Sequence, residues 1–190
     1  MKKTILAIFA LAVTLVASAQ TNWANDPYHS RLGFVVKHLT ISEINGAFSD
    51  FAVKVVTNKA DYSDMKVSVT AKTASISTGI EMRDNHLKTA DFFEVEKYPE
   101  MTFVSTSVKK ISDKKFILSG NLTLHGVTKP VKLSVDYFGT VVNPMNKKET
   151  FGFHITGSVK RSDFGIGPKF PEAMVSDVIK IVADAEFSKL

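Results

Sequence analysis

Apolar and polar residues alternate over much of the chain, most regularly in Met65-Lys66-Val67-Ser68-Val69-Thr70-Ala71-Lys72. A period of two places successive side chains on opposite faces of a strand, so this stretch predicts a strand with one apolar face. Seven further stretches behave similarly: Arg31–Lys37, Ala47–Thr57, Glu100–Lys109, Lys114–Leu124, Pro130–Val142, Thr150–Arg161 and Asp177–Ser188. Short polar links such as Ser112-Asp113-Lys114 and Asn143-Pro144-Met145-Asn146 join several of them. Such links imply antiparallel neighbours, because a parallel pair needs a crossover of about a dozen residues. The expectation is an all-β fold of eight antiparallel strands, either a sandwich or a closed up-and-down barrel; closure removes the unpaired edges.

Two connections break the rhythm. Over Ser75–Pro99, Thr78-Gly79-Ile80-Glu81 reads as a capping box that opens a helix, and Asp91-Phe92-Phe93-Glu94 starts a second short turn. Ser162–Ser176 carries Gly165, Gly167, Pro168 and Pro171 and reads as irregular, with Gly165 placed for a positive φ.

An aqueous barrel hides its apolar face, whereas an outer-membrane barrel turns that face to lipid and places Tyr and Trp at the two interfaces. Fourteen Phe against four Tyr and one Trp favour a dry interior and no stable membrane insertion. Read inward, the alternation gives Phe34, Val36, Phe51, Val53, Val67, Val69, Phe103, Leu122, Leu124, Leu133, Phe153 and Ile155 as lining residues. A barrel of this size either fills itself with side chains or holds one ligand, and the pattern leaves both open.

The first residues add a destination. Met1-Lys2-Lys3, an apolar run from Ile5 to Ala17 and the small-x-small Ala17-Ser18-Ala19 form a cleavable export signal, with residues 20–190 as a single domain. No cysteine is present, so no disulfide supports the fold. The formal charge of +5 falls to +3, since Lys2 and Lys3 leave and no acid does. The lysines are scattered, with no basic stripe of the nucleic-acid kind.

Chemistry concentrates in "RDNHLKTADFF", residues 83–93. Asp84 and His86 offer a general-base pair on an enzyme reading. Otherwise Arg83, Asp84 and His86 either pin the segment or meet a ligand's head group, and Arg161 sits at a strand end where a rim residue would. The five histidines show no metal-ligand spacing, so no metal is expected.

Four pieces in one order resemble the YceI family of periplasmic polyisoprenoid-binding, lipocalin-like proteins. They are "DPYHSRLGFVVKHLTISEINGAFSDF" (26–51), "SISTGIEMRDNHLKTADFFEVEKYPEMTFVST" (75–106), "GNLTLHGVTKPVKL" (120–133) and "KRSDFGIG" (160–167). The resemblance implies an eight-stranded antiparallel lipocalin-like β-barrel, with a short helical insertion at about residues 78–97 covering one end. It implies a binding protein rather than an enzyme, holding an isoprenoid quinone, an isoprenyl phosphate or a fatty amphiphile, with no cofactor besides that lipid. Phe92 and Phe93 would then face the tunnel. Arg83, Asp84, His86 and Arg161 would anchor the cover or meet the head group, and a homodimer is compatible with the family.

Overall fold

A computed structural model describes residues 20–190; the export signal expected over 1–19 lies outside the described residues. The elements are β1 Thr21–Asn25, β2 Arg31–His38, β3 Ser42–Phe48, β4 Phe51–Thr57, β5 Lys66–Lys72, β6 Ile76–Ser77, α1 Glu81–Leu87, β7 Glu100–Ser112, β8 Lys115–Leu124, β9 Val127–Val142, β10 Glu149–Lys160 and β11 Val178–Lys189.

All pairings between these strands are antiparallel, and the long strand β11 closes the ring. Its C-terminal end pairs with β1, Lys189 opposite Trp23, and its N-terminal half pairs with β2, Ala183 opposite Leu32. β1 and β2 therefore act as one strand interrupted between Asn25 and Arg31. β3 and β4 form a second, bent at Ser49-Asp50, and β5 and β6 a third, broken by a 3-10 turn over Thr73–Ser75. Backbone bonds from Ser49 N–H to Ser75 O and from Lys72 N–H to Asp50 O carry the ladder around that corner. With β7 to β11 these make an eight-stranded up-and-down barrel, the one of the two architectures allowed by the alternation that the resemblance implies.

The differences from the sequence reading are local. Ala47–Thr57 is bent rather than continuous and takes in only the end of β3, whose residues 42–46 include too few apolar ones to alternate. β1 is absent from the sequence reading, because "TNWAN" offers one large apolar residue between two asparagines. Burial of Trp23 and the ladder to β4 and β11 hold it extended. The helix begins at Glu81 with Ile80 as its N-cap, and no side chain caps it. Thr78 is not the cap because its hydroxyl is engaged by Arg83 and Asp84. Asp91–Phe93 forms turns, with Phe92 N–H bonded to Thr89 O.

The apolar face points inward: Val53, Val55 and Ala71 are buried, while Lys54, Lys66, Ser68, Thr70 and Lys72 project outward and are exposed. One end of the barrel is plugged by aromatic rings. Phe151 packs on Trp23, Tyr62, Phe153 and Phe187 with ring centroids 4.7 to 4.9 Å apart, in the range where offset and edge contacts add to burial. Tyr62 reaches this floor from the β4–β5 loop, and its hydroxyl shares a hydrogen bond with Thr140. Burial pushes the Tyr62 phenol up to about 12. The other end carries the β2–β3 hairpin, α1 and its turns, the His125-Gly126 turn and the segment from Arg161 to Asp177.

Candidate functional site: a covered apolar cavity

Between the aromatic floor and the covered end lies a cavity of about 480 Å³. Ten strand residues read inward from the sequence line it: Phe34, Val36, Phe51, Val53, Val69, Phe103, Leu122, Leu124, Leu133 and Ile155. Phe92 and Phe93 join them from the cover. Two expected lining residues lie elsewhere. Phe153 is part of the floor, and Val67, half-buried, packs against the hydrophobic core without lining the cavity. Leu32, Ile179, Ile181, Ala183 and Ala185 also line it, with Phe164, Ile166 and Phe170 from the punctuated segment. β11 had signalled its share through apolar odd positions; the segment 164–170 had no periodicity to read.

The cover is held by polar contacts. Arg83 donates through Nε to Thr78 Oγ1 at 2.6 Å and through Nη2 to Thr78 O at 3.0 Å. Asp84 accepts from the Thr78 N–H at 2.7 Å and from its hydroxyl. Burial acts to raise the Asp84 carboxyl, but the bonds from Thr78 and Ser77 and the charge of Arg83 outweigh it and hold the group below its usual value. His86 does not contact Asp84: its Nε2 pairs with Asp91 at 3.1 Å, and Lys169 reaches the other oxygen of Asp91 at 2.7 Å. The Lys169 bond first, then that of His86, depresses Asp91. Asp84 and His86 therefore do not form the general-base pair of the enzyme reading. The two residues lie two apart on α1, and such residues point to different sides of a helix.

Arg161 is buried, and all five of its N–H groups are spent. They go to the carbonyls of Ile166, Gly167, Phe170, Val175 and Ser176. The guanidinium thus folds 166–176 around itself as part of the cover, with no donor left for a head group. Gly165 supplies the left-handed residue that the reversal requires, at φ +67°. His125, at the β8–β9 turn, donates from Nδ1 to Phe164 O at 3.0 Å and ties the turn to the same segment.

The ionisable residues that line the cavity are Arg31, Lys37, His38, Arg83, His86 and Arg161; no carboxylate is among them. Lys37 and His38 make no side-chain ion pair among the described residues, and Arg83 has its Nη1 beyond the two bonds to Thr78. Outside the cavity, the β1–β2 break brings Asp26, His29 and Glu186 together with ligand atoms within 4.8 Å. Sequence spacing could not show this group, since Glu186 lies far along the chain. Within the group, His29 Nδ1 is already bonded to Asp26 at 2.9 Å.

A closed antiparallel barrel with an internal apolar cavity and a helical cover is a lipocalin-like architecture. The chain belongs to the YceI family, whose YceI-like domain matches residues 23–187. It is 39% identical over 181 residues to a UPF0312 protein of Photorhabdus laumondii, covering 91% of this chain and 93% of the relative. The crystal structure of a Campylobacter jejuni YceI protein superposes with a TM-score of 0.72 at 36% identity, covering 80% of this chain and 88% of the other. A domain from Saccharophagus degradans described as polyisoprenoid-binding shares the fold at a TM-score of 0.60 and 16% identity, covering 88% of this chain and 98% of that one.

Proposed function

We propose that this protein is a periplasmic carrier for a long-chain amphiphile, with the tail in the cavity and an anionic head at the mouth. An isoprenyl phosphate fits this better than a neutral isoprenoid quinone. The observation that carries the reading is the pairing of an apolar lining with ionisable groups that are all basic. Lys37, His38 and the Arg83 Nη1 are the groups offered to the head; guanidinium suits phosphate geometry. The polyisoprenoid binding ascribed to the Saccharophagus domain is in keeping with this, as is the export signal over residues 1–19.

The cavity sets a scale. A volume of 480 Å³ holds roughly 16 water-sized groups at ~30 Å³ each. A longer polyprenyl chain would emerge through the mouth. Burying about 16 methylenes yields ~13 kcal/mol at ~0.8 each, against an association cost of about 4–15 kcal/mol. The two sums are of the same order, so burial of the enclosed tail is largely offset by the cost of association, which suits a carrier that must release its ligand. No covalent step is needed, and the protein acts as a binding protein.

The test is titration with geranylgeranyl phosphate and with geranylgeraniol, followed by quenching of the floor's tryptophan, Trp23. The phosphate is expected to bind at least tenfold more tightly. Equal affinities would remove the anionic head from the account, and binding of neither would remove the carrier.

A further inference from the structure

Two alanines decide where the cavity is deepest. On β4, β8 and β10 its lower boundary falls between consecutive inward residues. Val53, Leu118 and Ile155 line the cavity, whereas the next ones down, Val55, Phe116 and Phe153, are buried in the packing beneath it. β11 differs. Ala183 and Ala185 face inward there, opposite Ile155 and Phe153 of β10. Their small side chains leave a slot along β11, and the cavity wall continues down it to Phe187, two inward positions below the level of Ile155. The Phe187 ring closes the slot. It stacks on Phe151 with centroids 4.9 Å and planes 24° apart, and it meets Phe153 at 5.8 Å. Phe151 is held in turn by Trp23 and Tyr62, and none of these three lines the cavity. Rings packed this closely give way only by losing contacts on every side, so a tail has no path past them.

We propose that Phe187 is the stop against which the end of the tail rests, and that Phe187 and Ala185 together set the chain length the protein takes. This rests on the carrier reading and deepens it. A volume of about 480 Å³ corresponds to roughly 16 carbon-sized groups at ~30 Å³ each, or about three isoprene units and little more. Each unit that enters the cavity leaves water and adds to affinity. Once the tail end meets Phe187, a further unit stays outside, wet in the complex as it is in solution, and adds nothing. Affinity should therefore climb with chain length and then stop climbing, and the length at which it stops is a property of the slot.

The test is calorimetric titration with geranyl, farnesyl, geranylgeranyl and geranylfarnesyl phosphates, whose chains grow by one isoprene unit at each step. Wild type is expected to gain at least about tenfold from geranyl to farnesyl and less than about threefold from geranylgeranyl to geranylfarnesyl. Ala185→Leu fills the slot and should bring the end of the climb about one unit earlier. Phe187→Ala removes the stop and should put it about one unit later. Leu118→Ala, at the cavity's lower boundary on β8, should also put it later and replaces the Phe187 variant if that one does not fold. Opposite shifts from filling and from emptying one slot require the tail to lie in it, whereas a purely structural role would weaken all four chains alike. The proposal is overturned if the wild-type affinity keeps climbing to geranylfarnesyl phosphate, or if the variants leave the end of the climb where it was. Equal binding of all four chains removes the stop and leaves the carrier standing. Binding of none removes both.

Discussion

Replacing Arg161 by Met keeps most of the side-chain volume and removes every donor. Two of the five hydrogen bonds, to Ile166 O and Gly167 O, are buried. Those carbonyls would find no water in the packed cover. The other three acceptors, on Phe170, Val175 and Ser176, are part-buried and can turn toward solvent. A hydrogen bond from a charged donor contributes about 1.5–3 kcal/mol, so two lost without replacement cost ~3–6. Relief of the buried guanidinium offsets part of this, leaving a destabilisation of about 3–4 kcal/mol. At about 2–4 °C per kcal/mol for a chain of this size, Tm should fall by roughly 10 °C. Urea unfolding gives the free energy, and hydrogen exchange should show 162–177 losing protection before the strands do. Arg161→Lys should recover little, since one ammonium cannot reach five carbonyls. A loss below about 1 kcal/mol with sharply weaker binding of geranylgeranyl phosphate would refute the reasoning and return Arg161 to the head group.

Other consequences follow from the same geometry. Phe151→Ala in the floor, where the ring is 1% exposed, should cost about 3–5 kcal/mol in urea unfolding, and a change below 1 would mean that the floor collapses around the gap. Gly46→Ala places a Cβ 2.2 Å from the Phe34 ring end, so Phe34 must swing into the cavity; lipid affinity should fall with a stability loss of about 1–3 kcal/mol. Unchanged affinity would show that the ring moves elsewhere. The Asp84 carboxyl is held below its usual value, so its contribution is present above the unfolded-state pKa and is lost as pH falls through the folded one. Protection factors of the 78–97 amides, taken relative to the intrinsic exchange rate at each pH, should therefore fall on acidification below about pH 4, and Asp84→Asn should flatten that profile and leave the cover loose at neutral pH.

Alternation made the strands of the barrel and its inner face legible, because a one-residue slip would turn every lining side chain outward. It could not give depth along the barrel axis. Val67 and Val69 share a face of β5, as Phe153 and Ile155 share one of β10, yet only Val69 and Ile155 reach the cavity. Which of two such residues meets the floor depends on the stagger of neighbouring strands, to which no single strand's pattern refers. The partner of His86 was partly readable: helix geometry separates it from Asp84, but Asp91 comes round only through the turns after α1. Arg161 was placed correctly at a strand end, but the convergence of five carbonyls on it depends on a segment of glycines and prolines whose path has no period.

What occupies the cavity decides whether the protein is a carrier. Protein purified without detergent would be examined by native mass spectrometry beside Ala183→Phe, whose ring fills space lined by Ala183, Ile181 and Leu32. The account predicts a one-to-one adduct on the wild type, released by organic extraction as an acidic long-chain lipid and missing from the variant. Bare masses for both proteins, with no uptake of added geranylgeranyl phosphate by the wild type, would contradict it.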